Sequence, residues 1–155
     1  MSGMCNCGPF VRDGTKMDVV RRNTDYAVRL MVHLARQYGE GPVSTRVAAK
    51  EEGVSYPLAC KLMQKLHGSK LIESCMGPRG GFSLGRYPAE ITLLEVVEAI
   101  QGPIRLNRCL LSSDACNRQT DCAVRAELAG VQENILSSLA GITFADLSHS
   151  RNGKK

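Results

Sequence analysis

The feature that most constrains the fold is a pair of short helical patterns separated by one glycine turn. Residues 44–52 and 55–69 both have helical apolar spacing, and the break between them falls at Gly53. Ser55 can cap the second helix, and Pro57 stands in its first turn, where a missing amide proton costs nothing. Two short helices joined in this way are typical of a helix-turn-helix.

A glycine-rich hairpin pattern follows directly. Residues 71–75 predict a strand, and Phe82 and Leu84 alternate with small residues in a returning strand. The turn between them, residues 76–81, is rich in glycine and carries Arg79. A hairpin after a helix-turn-helix predicts a wing, and an arginine at its tip is electrostatically favoured in a narrow minor groove.

Helical patterns dominate the rest of the chain, so we expect a mainly α fold with a small β-hairpin wing. Residues 23–38 predict an amphipathic helix that Asn23 or Thr24 can cap. Thr92 and Glu95 have the spacing of a capping box at the start of a helix over 92–101. In the first helix of the helix-turn-helix, Val47 and Ala48 are expected to face inward.

Residues 123–140 predict a longer helix whose apolar stripe finds no obvious partner in so small a chain. A second copy related by a two-fold axis would bury this stripe; the alternative is that it packs back on its own domain. The expected organisation is a disordered or added tail (1–16), a winged helix-turn-helix DNA-binding domain (17–102), a cysteine loop (103–122), a dimerisation helix with a short C-terminal turn (123–147) and a basic tail (148–155).

The charge distribution favours a nucleic-acid partner. Residues 44–87 hold seven Lys/Arg against three Glu, whereas residues 88–102 hold three Glu and no Lys or Arg. A local basic excess fits a phosphate-facing element, although a solvated basic face would have the same composition. We find no secretory signal, no membrane-spanning stretch and no catalytic or phosphate-binding motif. We therefore expect a cytoplasmic protein that is not an enzyme.

Polar residues near the start of a recognition helix face the major groove. Lys61 and Gln64 lie off the apolar stripe of the second helix, while Lys65 and Lys70 suit phosphate contacts better. The residues expected on the DNA-binding surface are Arg22, Ser55, Tyr56, Pro57, Lys61, Gln64, Lys65, Arg79 and Gly80.

The chain has seven cysteines, an odd number that cannot all pair. Three of them, Cys109, Cys116 and Cys122, fall within one short polar segment. Thiolates bind zinc, copper(I) or iron–sulfur centres, and these spacings exceed those of most zinc pairs, which favours a larger cluster. A fourth ligand is not local and must come from elsewhere in the chain, from the other subunit or from a small molecule; His67 and His149 are available. The alternative is three inert or redox-labile thiols. We interpret Cys60 and Cys75 as structural.

Several segments resemble the IscR/NsrR-type winged helix-turn-helix regulators, the Rrf-two family. The segments are residues 21–27 (RRNTDYA), 55–58 (SYPL), 77–84 (GPRGGFSL), 91–100 (ITLLEVVEAI) and the three-cysteine loop. The resemblance covers about residues 17–147, and the Gly-Gly-Phe wing followed by a cysteine triplet is a specific combination.

The resemblance implies a homodimer that binds palindromic double-stranded promoter DNA. It also implies an iron–sulfur cluster, 2Fe-2S or 4Fe-4S, ligated by Cys109, Cys116 and Cys122. In members similar to the nitric-oxide sensors, a carboxylate on the partner's first helix is the fourth ligand, and Asp25 matches it here. The cluster-biogenesis regulators use a histidine three residues after the last cysteine, where this chain has Arg125. That departure favours Asp25.

The expected function is therefore a dimeric transcriptional regulator whose promoter binding is controlled by an iron–sulfur cluster. The cluster would sense nitric oxide, redox state or iron–sulfur status. Two alternatives stay open at this point. One is a cluster-free winged-helix regulator that responds to thiols or to a partner protein, and the other is an iron–sulfur carrier or scaffold.

Overall fold

The computed structural model describes residues 19–110 and 122–149. The expected N-terminal tail, most of the basic tail and Cys116 lie outside the described residues. The helices are α1 (Arg22–Arg36), α2 (Thr45–Glu51), α3 (Tyr56–Gly68), α4 (Leu93–Gln101), α5 (Ala123–Ala140) and α6 (Phe144–His149), with strands β1 (Ile72–Cys75) and β2 (Gly81–Leu84) and short 3-10 turns at Pro88–Glu90 and Arg108–Leu110. The predicted mainly α fold with one hairpin is confirmed.

The helix-turn-helix consists of α2 and α3, as predicted. Four residues of α3 are buried, namely Ala59, Leu62, Met63 and Leu66. In α2 the buried residues are Ala48 and Ala49, whereas Val47 is 50% exposed. The expectation that Val47 faces inward was therefore wrong, because the buried face of this short helix consists of Ala48 and Ala49. Ser55 holds the N-cap position of α3, but its side chain makes no capping hydrogen bond.

The wing is an antiparallel pair of strands in which Ile72 faces Leu84 and Cys75 faces Gly81. A third segment joins it, since Val43 and Phe82 exchange backbone hydrogen bonds in both directions, at 2.8 and 2.9 Å. A Cβ on Gly81 would collide with the Val43 carbonyl. Glycine at this position therefore lets the loop before α2 pack directly against the wing.

Helix α1 lies at the centre of the fold and contacts α3, α4 and α6. Its buried stripe includes Leu30, Met31 and Leu34. The helix begins at Arg22, and neither Asn23 nor Thr24 caps it, which corrects that expectation. Thr24 is instead fully buried and faces α4.

The C-terminal helix α6 returns to the winged-helix domain. Phe144 is fully buried in the main core, and its amide donates to the Ile91 carbonyl at 3.0 Å. Asp146 Oδ2 accepts hydrogen bonds from the Thr143 amide and hydroxyl, which fixes the first turn of the helix. Residues after α5 therefore belong to the core of the winged-helix domain, a role that the expected short turn did not include.

Helix α5 has the bounds that the sequence predicted, but none of its described side chains is buried. Val124 is 65% exposed and Val131 is 49% exposed. The stripe does not pack fully against its own domain. Within residues 19–110 and 122–149, every helix is too short or too polar to span a bilayer.

Helix α4 begins with the predicted capping box. The Thr92 side chain accepts from the Glu95 amide, and the Glu95 carboxylate accepts from the Thr92 amide at 2.8 Å. Arg86 Nη2 also donates to Glu95 at 2.7 Å. Burial raises the pKa of Glu95, but the Thr92 amide and the Arg86 guanidinium outweigh it and hold that pKa below its ordinary value.

A Glu95→Gln variant should reveal how much the ionised Glu95 carboxylate adds to the free energy of unfolding. A carboxyl with a lower pKa in the folded chain stabilises it above the unfolded pKa, and this stabilisation is lost as the pH falls through the folded pKa. The variant should be less stable at pH 7 by about 0.2–1 kcal/mol, since the pair is partly exposed. The difference should shrink towards about pH 3 in urea unfolding. A Glu98→Gln control, exposed on the same helix and outside the capping box, should keep wild-type stability at pH 7.

Candidate DNA-binding surface and cysteine segment

The start of α3 presents an exposed polar surface. Ser55, Tyr56 and Pro57 are exposed at its first turn, and Lys61 and Gln64 are exposed one and two turns later. This face lies opposite the buried side of the helix, as the apolar spacing predicted. The structure therefore brings the expected recognition residues together on one helix, and their contact with DNA stays a prediction.

Arg46 of α2 is a residue that sequence reasoning missed. Its guanidinium carbon lies 4.7 Å from the centre of the Tyr56 ring, and Tyr56 is 44% exposed. A cation over a phenol face is an attractive contact that restricts both side chains. The pair places a positive charge beside the start of α3, and no local sequence signal could have found it, because the two residues lie on different helices.

The tip of the wing is a tight turn closed by a hydrogen bond from the Gly80 amide to the Gly77 carbonyl at 2.9 Å. Gly77 has a φ of 120°, a conformation that L side chains rarely adopt. A Cβ on Gly80 would lie only 2.5 Å from the Cys75 carbonyl oxygen. These constraints leave Met76 fully exposed and Arg79 exposed at the tip.

Two expected DNA-binding cations have contacts inside the protein. Lys65 Nζ donates to the Ile100 carbonyl near the end of α4 at 3.4 Å. Arg22 Nε donates to the Tyr26 hydroxyl at 3.0 Å. Both side chains remain at the surface, and their role at phosphates stays a prediction.

The described cysteines of the loop meet the start of α5. Cys122 is the N-cap residue of α5, and Arg125, in its first turn, donates from Nε to the Cys109 carbonyl at 3.2 Å. Both cysteines are free and partly buried. The first turn of α5 holds no acidic residue, and a helix N-terminus carries partial positive charge. This environment suits the binding of an anionic centre.

The segment between α4 and α5 is also held at its beginning. The Leu106 amide donates to Gln132 Oε1 of α5 at 3.1 Å. Gly102, with a φ of 84°, ends α4 and turns the chain towards this contact. The two ends of the cysteine segment therefore both lie against α5.

Asp25 lies in the first turn of α1, where it forms an ion pair with Arg29 at 2.8 Å. Both side chains are about half exposed. In the part of the chain that the structure describes, no three His, Cys, Asp or Glu side chains converge on one point. Cys116 is outside that part. The ligand set of Cys109, Cys116, Cys122 and Asp25 therefore stays a prediction.

The other described cysteines lie in the helix-turn-helix and the wing. Cys60 of α3 is partly buried, and Cys75 at the end of β1 is exposed. Both are free. The partial burial of Cys60 fits its interpretation as a structural cysteine. Cys75 is exposed at the wing and lacks the core packing that a structural cysteine would have.

The chain matches a known family over most of its length. A family model described as Rrf2, iron-dependent transcriptional regulator, matches residues 20–150. A putative HTH-type transcriptional regulator, ORF2, of Azotobacter vinelandii is 32% identical over 122 residues, 79% of this chain and 74% of that protein. The regulator IscR of Xenorhabdus nematophila is 30% identical with the same coverage. The regulator CymR of Bacillus subtilis is 29% identical over 119 residues, 76% of this chain and 86% of CymR.

Solved structures share the fold. The global cysteine regulator CymR of B. subtilis superposes with a TM-score of 0.74 at 24% identity, covering 86% of this chain and 98% of CymR. The IscR of T. potens superposes with a TM-score of 0.68 at 26% identity, covering 86% of this chain and 93% of that structure. The relatives named here are transcriptional regulators, and the winged-helix architecture predicted from the sequence is confirmed.

Proposed function

Because this chain belongs to the Rrf2 family of DNA-binding transcriptional regulators, we propose that it is a homodimer whose promoter affinity depends on an iron–sulfur cluster. Cys109, Cys116 and Cys122 would hold the cluster, and Asp25 of a second copy would complete it. The single observation that carries the proposal is the hydrogen bond from Arg125 to the Cys109 carbonyl, which brings Cys109 to the helix start where Cys122 stands.

The donor chemistry of this segment fits an iron–sulfur centre. Two soft thiols lie at the positive end of α5 beside a guanidinium, and the third lies between them in the sequence. Cysteine thiolates are the usual ligands of such clusters. Bound there, the cluster would supply reactivity towards nitric oxide, oxygen or electrons.

The exposed apolar stripe of α5 supports a dimer. Val124 and Val131 face solvent on an 18-residue helix without a buried side chain. Pairing with the same helix of a second copy would remove this apolar surface from water, and two-fold pairing is the commonest arrangement of homo-oligomers. The fourth ligand implied by the family resemblance, Asp25 of a second copy, also requires a dimer.

The contacts of α4 suggest how the cysteine segment could affect DNA binding. The cysteine segment begins where α4 ends and finishes where α5 begins, and α4 packs on α1 and α3. Tying the three thiols together restrains both helix ends, and releasing them frees the segment. Two recognition helices of a dimer must match half-sites about 34 Å apart, so a small change in their spacing alters specific affinity.

The proposal is tested with protein purified without air. Iron and acid-labile sulfide are counted, and binding to DNA selected from a random-sequence pool is measured for the loaded and the cluster-free protein. We expect a coloured, iron-containing dimer whose two forms differ in affinity. A colourless protein with equal affinity under every redox condition would contradict the cluster. If neither form selects any DNA from the random-sequence pool, the result would favour the carrier or scaffold alternative.

An Arg79→Ala variant should weaken binding of selected DNA. The side chain is exposed at the wing tip, so its loss removes one cation from the DNA-binding surface. The salt dependence of the binding constant should fall by about one unit in slope.

The matched control is Arg79→Lys, which keeps the charge and therefore the slope. An unchanged slope in Arg79→Ala would remove the wing tip from the phosphate-contacting surface.

A second candidate is a cluster-free regulator that responds to thiols. The likeness to B. subtilis CymR, named a global cysteine regulator, favours it. Iron counting separates the two candidates, because this one predicts a colourless protein whose DNA affinity still changes with a thiol oxidant.

A further inference from the structure

We propose that Gln101 is a positioning residue that fastens the start of α1 to the end of α4, so that the cysteine segment and the recognition helix share one anchor. The inference rests on the proposed function and names the part of the fold through which the segment acts. Gln101 has no such assignment from its sequence position, where it is simply the last residue of a helix.

The Gln101 side chain makes three hydrogen bonds to the region where α1 begins. Its Oε1 accepts from the Arg21 amide at 2.9 Å and from the Thr24 hydroxyl at 2.8 Å. Its Nε2 donates to the Val19 carbonyl at 2.8 Å. One amide thus serves three residues that are separated from it by about eighty positions in the chain.

These contacts take the place of a local helix cap. Arg21 holds the N-cap position of α1 and makes no side-chain capping bond. Thr24 is fully buried, and a buried hydroxyl needs a hydrogen-bond partner. Gln101 is that partner, so the direction in which the chain enters α1 is set by a residue of α4.

The neighbouring residue of α4 contacts the recognition helix. Lys65 of α3 donates to the Ile100 carbonyl, and Gly102 then turns the chain into the cysteine segment. Ile100, Gln101 and Gly102 therefore connect α3, α1 and that segment in three consecutive residues. Asp25 directly follows Thr24, so the same anchor fixes the proposed carboxylate ligand.

A displacement of the cysteine segment would thus act on the end of α4 and, through Gln101, on the start of α1. Without the Gln101 side-chain amide, the start of α1, which includes Asp25, loses its three hydrogen bonds to the end of α4. We expect the affinity ratio between cluster-loaded and cluster-free protein for selected DNA to move towards one by roughly threefold or more in Gln101→Ala. A purely structural role would lower both affinities equally and leave the ratio unchanged.

Three variants make the test specific. Gln101→Glu keeps the acceptor for Arg21 and Thr24 but loses the donor to Val19, and should give an intermediate ratio. Thr24→Val should reproduce part of the Gln101→Ala effect, and the double variant should be less than additive because the two residues share a contact. Gln37→Ala, at the other end of α1, is the control and should keep the wild-type ratio.

Amide hydrogen exchange of the cluster-free protein gives a second readout. The Arg21, Thr24 and Asp25 amides, whose hydrogen bonds depend on this anchor, should exchange roughly tenfold faster in Gln101→Ala, while the core of α3 keeps its protection. Wild-type exchange at these three amides, or a wild-type affinity ratio in the variant, would overturn the inference. If wild-type protein shows a ratio of one, the proposed function fails, and the exchange rates still decide whether Gln101 anchors α1.

Discussion

Replacing Phe144 with alanine is expected to lower the free energy of unfolding by about 3–5 kcal/mol. The ring is fully buried in the main core, and the contacts of α6 with α1 depend on it. The substitution leaves a cavity and removes apolar area from the interior, and both effects destabilise the folded chain. Urea unfolding followed by circular dichroism measures the change.

Leu147→Ala on the same helix is the control. Leu147 is only partly buried against that core, so its truncation should be clearly less destabilising. If Phe144→Ala changed stability by less than its control, α6 would not belong to the folding unit of the winged helix.

Replacing Cys122 with alanine is expected to remove most of the iron and acid-labile sulfide from anaerobically purified protein. Cys122 stands at the N-cap of α5 and would be one of three local thiolate ligands. Its loss leaves too few sulfur donors near Cys109 to hold a cluster. The visible absorbance should fall with the iron content, and DNA affinity should become that of the cluster-free protein.

Cys60→Ala and Cys75→Ala are the matched controls, since both thiols are free and lie in the helix-turn-helix and the wing. Both variants should keep wild-type iron and sulfide. A Cys122→Ala protein with full iron content would place the ligands elsewhere, whereas loss of iron in all three variants would indicate general unfolding of the protein.

Local patterns predicted most of the architecture. The bounds of α5, the buried face of α3 and the Thr92–Glu95 capping box follow from the spacing of neighbouring residues. The capping of α1 was predicted wrongly, because Thr24 is used by Gln101, 77 positions away. A short polar residue at a helix start has the same sequence signature whether it caps the helix or bonds to a distant side chain.

The candidate site divides in the same way. Exposure of the first turns of α3 and of the wing tip could be predicted, since both depend on local periodicity and turn chemistry. Arg46 and Gln101 could not, because each contacts a side chain on another helix. Phe144 has the same explanation, as nothing near it in the sequence indicates that a segment after α5 returns to the core.

Because of the paired hydrogen bonds between Val43 and Phe82, the orientation of the wing is independent of the side chains at its tip. The two bonds join main-chain atoms of the hairpin and of the loop before α2, so they form whichever side chains stand at the tip of the turn. Met76 and Arg79 can therefore be exchanged while the scaffold beneath them stays unaltered. Substitutions at these two positions would then alter the proposed contact of the wing with DNA without altering the fold of the hairpin.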